Sequence, residues 1–151
     1  MGEDDLEELA ATIEATYTSA DGEVARHVPI AVVRQADLRR PLRDLLADLE
    51  ERDSVMPEKP AQPRAPLIML SGFAPVATSA TVRALRSLGL RGGTSGVRPM
   101  FAVAVPNALS KTLEILIDEI EGDHLANAER NSVNVNGDGD GSDSNRPPSA
   151  D

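Results

Sequence analysis

Four arginines surround one glycine-rich loop in the second half of the chain. Arg83 and Arg86 lie three positions apart, which places them on one face of a helix, and Arg91 and Arg98 flank Gly92–Gly96. Guanidinium groups bind carboxylate and phosphate oxygens in a bidentate manner, and the backbone amides of a glycine-rich turn can surround an anion. The loop lacks the spacings of Walker and dinucleotide motifs. The loop is either a flexible hairpin beside a solvated helix face or a contact site for an acidic partner or a phosphate. The candidate residues for such a contact are Arg83, Arg86, Arg91, Gly93, Ser95 and Arg98.

A second candidate site lies where two predicted strands end. Ser71 and Gly72 follow the run Leu67–Leu70, and Asn107 follows Met100–Val105. Ligands of open α/β sheets bind at the carboxyl ends of strands, so these residues are candidates for holding a small anion or nucleotide. The structural alternatives are that Gly72 permits a tight turn and that Asn107 caps a helix.

The sequence contains no recognisable catalytic or metal-binding motif. Without cysteine, it can form no disulfide, thiolate metal site or cysteine nucleophile. His124 three residues after Glu121 is a single Glu-x-x-His pair, whereas di-metal bundles need two, and His27 is the only other histidine. The Asn- and Asp-rich tail lacks the closing glutamate of a calcium loop. We therefore expect no catalytic residue, no bound metal, no cofactor and no enzymatic activity.

Charge and composition exclude further classes. The 151 residues include 25 acids and 15 bases, for a net charge of −10, which disfavours non-specific binding to nucleic acid. One Tyr, two Phe and no Trp leave little for stacking against bases. No apolar run is long enough to insert into a membrane, and the acidic start does not resemble a targeting peptide. We expect a soluble protein of the cytoplasm or, on the resemblance described below, of the plastid stroma.

The hydrophobic pattern predicts an α/β fold. Apolar residues at helical spacing, short apolar runs and turn residues predict helices at Asp4–Thr18, about Ala36–Arg52, Pro75 to about Leu88 and Asn107 to about Arg130, and strands at Val28–Val33, Leu67–Leu70 and Met100–Val105. Residues 54–66 are rich in proline and predict an extended linker or long loop. Residues 131–151 offer almost nothing to bury and predict a disordered acidic tail.

The predicted elements repeat along the chain. A shift of 71 residues superimposes five apolar residues of the helix near 36–52 on those of the helix near 107–130, and also aligns the preceding strands. The sequence therefore predicts one compact domain made of two related β-α-β-α halves, residues 1–53 and 67–130, of which the first lacks its opening strand. Such a sheet would keep an open or partner-paired edge near the N-terminus.

The second half resembles a small domain family of unknown function found in bacteria and plastid-bearing eukaryotes. The resemblance covers about residues 65–129 and rests on the Leu67–Phe73 strand, the helix ending at Leu88–Leu90, the run Met100–Asn107 and the end of the last helix, Glu119 to His124. The family has no settled activity, so the resemblance implies only a setting, that of a stromal protein of plastids.

Together these features favour a non-catalytic interaction or assembly module. The open sheet edge would accept a strand of a protein partner, and the arginines would attract an acidic surface. The alternative is a small-anion or nucleotide-binding domain. The sequence does not determine the oligomeric state.

Overall fold

A computed structural model describes residues 2–17, 22–23, 27–52 and 55–135, with the backbone alone for residues 131–135. The α-helices are α1 (Glu3–Thr16), α2 (Leu42–Ala47), α3 (Pro75–Ser87) and α4 (Leu113–Val135). Three short 3₁₀ helices are η1 (Gln35–Arg39), η2 (Leu49–Glu51) and η3 (Pro106–Ala108), and two strands are β1 (Leu67–Leu70) and β2 (Met100–Val103). The mixed α/β class is confirmed.

Helices α1 and α3 form one layer and pack against each other. α1 begins with three acidic residues, which favour the positive end of the helix dipole, and α3 begins with Pro75 at its first turn. Thr81 and Leu85 of α3 are almost completely buried. The Oγ1 atoms of Thr16 and Thr81 lie 2.9 Å apart and share a hydrogen bond between the helices. Both predicted helices are confirmed.

The two strands form a parallel pair between two apolar clusters. Leu67 pairs with Met100 and Leu70 with Val103. Ile68 and Leu70 face the cluster that includes α1 and α3, whereas Met69 packs with the cluster of Leu42, Ala108 and Leu116 on the other side. The sheet therefore lies between α1 and α3 on one face and the segments around α2 and α4 on the other.

The predicted strand at Val28–Val33 is wrong. The segment is described throughout and belongs to no strand, although Val28 is buried in the core. Pro29 has no N–H to donate to a ladder. The segment reaches one isolated antiparallel bridge, between Arg34 and Pro60. The run is therefore half-buried, with Val28 in the core, without forming a strand.

The predicted helix near Ala36–Arg52 is split by Pro41. η1 ends at Arg39, α2 begins at Leu42, and η2 follows it. Pro41 bridges Thr112: Leu42 N donates to Lys111 O at 3.0 Å, and Leu113 N donates to Arg40 O at 3.1 Å. The backbone groups next to the proline are thus satisfied by the second half rather than by a continuous helix.

The last helix begins and ends later than predicted. Asn107 does not cap it: this residue lies inside η3, and α4 begins six residues later at Leu113. The predicted disordered tail is wrong for residues 131–135, which continue α4. The rest of that predicted tail, residues 136–151, lies outside the described residues.

The proline-rich segment is attached to both halves. Gln35 N donates to Lys59 O at 3.1 Å and Ala61 N donates to Val33 O at 2.8 Å. Farther along, Met100 N donates to Pro66 O at 2.8 Å. From residue 59 onward the segment is a long, packed loop.

Candidate functional site

The glycine-rich loop is a hairpin whose amides are already used. Gly92 and Val97 exchange two backbone hydrogen bonds of 3.1 and 3.2 Å. Thr94 N donates to Pro63 O and Ser95 N to Arg64 O, both at 3.2 Å. An anion nest needs amides that point at an empty centre. The predicted nest is therefore wrong for these four amides, and the arginine side chains remain as the candidates.

Gly93 has a structural reason for being glycine. Its φ is +67°, and a Cβ atom placed there would lie 2.6 Å from Arg64 O and 2.8 Å from Pro63 O. No side chain fits such a contact with rigid backbone atoms. Gly93 and Ser95 thus hold the hairpin against the segment that enters β1.

Arg83 and Arg86 occupy the exposed face of α3, as the sequence predicts. The Arg86 guanidinium carbon lies 5.5 Å from the centre of the Phe101 ring in β2, within the range of a cation–π contact. Both arginines line a shallow depression with Thr78, Ser79 and Val82. Within the described part of the chain, neither arginine forms a salt bridge. Their positive charges are available to an incoming anion.

β2 presents an unpaired edge beside these arginines. Met100 N donates to Pro66 O and Ala104 N donates to Leu70 O, so the even-numbered residues direct their backbone polar groups toward β1. Because successive residues of a strand alternate in direction, the N–H and C=O groups of Phe101 and Val103 point the other way. No other strand among the described residues pairs with β2. The Val103 side chain is 44% exposed and that of Val105 50%.

The second candidate group lies at the opposite end of the sheet. Ser71 and Gly72 follow the carboxyl end of β1, and Asn107 follows that of β2; all three are exposed. Gly72 has a φ of +76°, which supports the tight-turn interpretation. The hairpin, flanked by Arg91 and Arg98, instead contacts residues that precede β1. The structure therefore separates the nine predicted site residues into two groups.

A buried ion pair that the sequence analysis did not identify fixes the first half. The Asp37 carboxylate accepts hydrogen bonds of 2.8 and 2.9 Å from the Arg52 guanidinium and one of 3.0 Å from Arg34 N. Asp37 is 5% exposed. The hydrogen bonds from Arg52 lower the pKa of Asp37 from 3.8 to about 2, against the opposing effect of burial. The only signal in the sequence was the position of Asp37 shortly after a short apolar run. Its partner Arg52 is fifteen residues away, so the spacing did not indicate the pair.

A groove lined by three more basic residues was also missed. Arg34, Arg39 and Lys59 line it together with Glu58 and Glu114. The three cations form no salt bridge within the described residues, and the two carboxylates that also line the groove offset most of their charge. The groove forms only because residues 59–61 are bonded to residues 33–35, which sequence spacing does not reveal.

The described residues contain neither a group of metal-ligating side chains nor a helix that could span a membrane. No cluster of three or more metal-ligating side chains occurs among them, and none of their helices is long and apolar enough to cross a membrane.

Comparison with known proteins finds one similar domain family. No curated protein and no solved structure matches the chain. Residues 66–126 match the model of a domain of unknown function, DUF3783. This match begins just before β1 and ends within α4, so it includes Arg83, Arg86, the hairpin and both strands. Residues 66–126 are therefore similar to this family of unknown function.

Proposed function

We propose that the protein is a non-catalytic interaction module that binds an acidic protein partner through α3. The observation that carries this proposal is the pair Arg83 and Arg86, both exposed and both without a carboxylate partner among the described residues. Residues 54–106, which include them, contain six bases and one acid, in a chain of net charge −10. A local positive surface on an acidic protein attracts acidic partners while the rest of the surface repels them.

The test is capture of partners by charge-reversed variants. The immobilised protein is incubated with lysate of the cells that express it, and retained proteins are quantified by mass spectrometry. Arg83→Glu/Arg86→Glu should lose specific acidic partners. Arg34→Glu/Arg39→Glu is the matched control, because it makes the same change of net charge at the groove in the first half. Equal retention by both double variants would contradict the proposal.

We further propose that the chain consists of two related halves joined at Pro41 and Thr112, which are 71 residues apart. The two bridging hydrogen bonds support this, since Leu42 N to Lys111 O and Leu113 N to Arg40 O are exchanged by the same shift. α2 and α4 begin at equivalent residues, 42 and 113.

Side chains support the same correspondence. Arg40 pairs with Asp48 and Lys111 with Glu119, and both members of these ion pairs are related by 71 positions. The Arg34–Pro60 bridge fits the proposed absence of the first strand. Next to this bridge, Ala61 N donates to Val33 O. The residue 71 positions after Val33 is Ala104, whose N–H donates to Leu70 O of β1. In this proposal the proline-rich segment partly covers the place of the absent first strand.

Binding of a small anion or nucleotide is the second candidate function. One observation favours it: the parallel pairing of β1 and β2 brings Ser71, Gly72 and Asn107 to the same end of the sheet, where the amino end of α3 also lies. A thermal-shift series with inorganic phosphate and nucleoside triphosphates tests it. A rise in Tm that Ser71→Ala/Asn107→Ala removes would support this function, since a ligand stabilises the state it binds. Unchanged Tm values in millimolar ligand would reject it.

The proposal also includes the cellular compartment of the protein. The resemblance to a family of bacteria and plastid-bearing eukaryotes supports a soluble assembly factor of the cytoplasm or plastid stroma. Fluorescence of the tagged full-length gene product in the source cells would test this setting.

A further inference from the structure

The outer edge of β2, on the side away from β1, indicates the backbone conformation that a partner would need. Phe101 and Val103 each direct their N–H and C=O groups away from β1. Within the described residues, none of these four groups forms a backbone hydrogen bond. An exposed strand edge is a template for another strand. The β2 edge thus offers main-chain donors and acceptors at a spacing that only an extended peptide matches.

Side-chain chemistry beside this edge selects the charge of the partner. In a parallel pair, residues in register point to the same face, so Phe101 and Val103 share the α3 face of the sheet with Ile68 and Leu70. Arg86 lies over the Phe101 ring, and Arg83 lies almost one turn away on α3. A third strand would place alternate side chains on this same face, next to two unpaired guanidinium groups.

We infer that β2 binds an extended segment of the partner with acidic residues at alternate positions, which adds to the sheet as a third strand. This inference rests on the proposed function and specifies its partner. The acidic side chains face Arg83 and Arg86, and the main chain bonds to Phe101 and Val103. A second copy of the chain is a poorer occupant, since pairing of two β2 edges provides no acidic side chains for the arginines.

The strand character can be tested with peptides and the full chain. An alternating Val-Glu decapeptide should bind, by fluorescence anisotropy, at least tenfold more tightly than an alternating Val-Lys decapeptide. N-methylation of every second Val-Glu amide removes several main-chain hydrogen bonds and should weaken binding at least tenfold. Equal binding of the methylated peptide would overturn the inference, because charge alone would then account for it.

Protein variants provide the complementary test. Val103→Pro removes the outward N–H, while the bonds to β1 come from residues 100, 102 and 104; we expect at least tenfold weaker binding of the Val-Glu peptide. Val103→Ala, the matched control, should weaken it less than threefold. On peptide binding, hydrogen exchange at the amides of Phe101 and Val103 in the unsubstituted protein should slow. Exchange at an unchanged rate would overturn the inference even if Val103→Pro does not fold.

The two proposals fail separately. If Arg83→Glu/Arg86→Glu loses the captured partner but Val103→Pro keeps it, the acidic interaction stands and strand addition is wrong. If both variants keep the partner, both proposals fail. If the protein alone sediments as a dimer that Val103→Pro converts to a monomer, the edge belongs to a second copy and the inference is overturned.

Discussion

Residues 34–52 and 105–123 begin alike and end differently. In both, a 3₁₀ helix leads to a bridging residue, Pro41 or Thr112, and an α-helix begins directly after it. The first helix stops at Ala47, and the chain then turns so that Arg52 reaches the buried carboxylate of Asp37. In the second segment the residue 71 positions after Asp37 is Ala108, which is buried among apolar side chains, and α4 continues to Val135.

The difference shows two solutions to anchoring the same local structure. The first segment uses an ion pair with complete hydrogen bonding, which is costly to desolvate and fixes one geometry. The second uses apolar contact, which leaves its helix free to extend beyond the core. Four experiments test whether the two segments are anchored in these different ways.

The largest effect is expected from removing one member of the buried ion pair. Asp37→Ala leaves Arg52, whose side chain is 14% exposed, without its partner, and should lower the free energy of unfolding by about 3–5 kcal/mol. Urea denaturation measures this. Asp37→Ala/Arg52→Met removes both charges and should recover most of the loss; a double variant as unstable as the single one would contradict the ion-pair explanation.

Acid should weaken the same anchor. The pKa of Asp37 is about 2 in the folded protein, below its ordinary 3.8. Its contribution to stability is therefore fully present above pH 3.8 and is lost as the pH falls toward 2. The shift corresponds to about 2 kcal/mol. The difference in unfolding free energy between the unsubstituted protein and Asp37→Asn/Arg52→Met, measured from pH 5 to pH 2, should decrease by that amount. A constant difference would contradict the assignment.

If Pro41 and Thr112 are equivalent, proline should be tolerated at position 112. The bridge uses the N–H groups of Leu42 and Leu113 and the C=O groups of Arg40 and Lys111, so Thr112→Pro removes none of these groups. Its unfolding free energy should change by less than about 1 kcal/mol. Leu113→Pro, the control, removes a bridging donor and should be far less stable. Equal damage by both substitutions would refute the equivalence.

The smallest effects concern the two ion pairs that lie 71 positions apart. Arg40 with Asp48 and Lys111 with Glu119 are partly exposed, so double-mutant cycles should give coupling energies of about 0.2–1 kcal/mol for each. Both couplings should shrink in 1 M salt, where charges are screened. A large coupling in one pair only would show that the two segments use this interaction differently.

Local patterns predicted much of the fold because the relevant interactions are local. α1 and α3 followed from apolar periodicity and, in α3, from Pro75 at the start. β1 was predicted from a short apolar run. β2 was predicted in the same way, although the prediction extended two residues beyond its end at Val103. The run at residues 28–33 is similarly apolar but forms no strand, because strand formation depends on a neighbour that the run itself does not contain.

The candidate site was predictable by residue type but not by arrangement. The exposure of Arg83 and Arg86 followed from helical spacing. Occupation of the hairpin amides by Pro63 and Arg64 did not, because it depends on a segment thirty residues away. The buried Asp37–Arg52 pair was missed for the same reason. The family resemblance was predicted for about residues 65–129, and the match to a domain of unknown function covers residues 66–126.

The tight contact at Gly93 has a mechanical consequence. The glycine lets the hairpin approach the carbonyls of Pro63 and Arg64, which accept hydrogen bonds from Thr94 N and Ser95 N. These bonds attach the connection between α3 and β2 to the segment that enters β1. A tether outside the strand ladder therefore keeps the amino ends of both strands together.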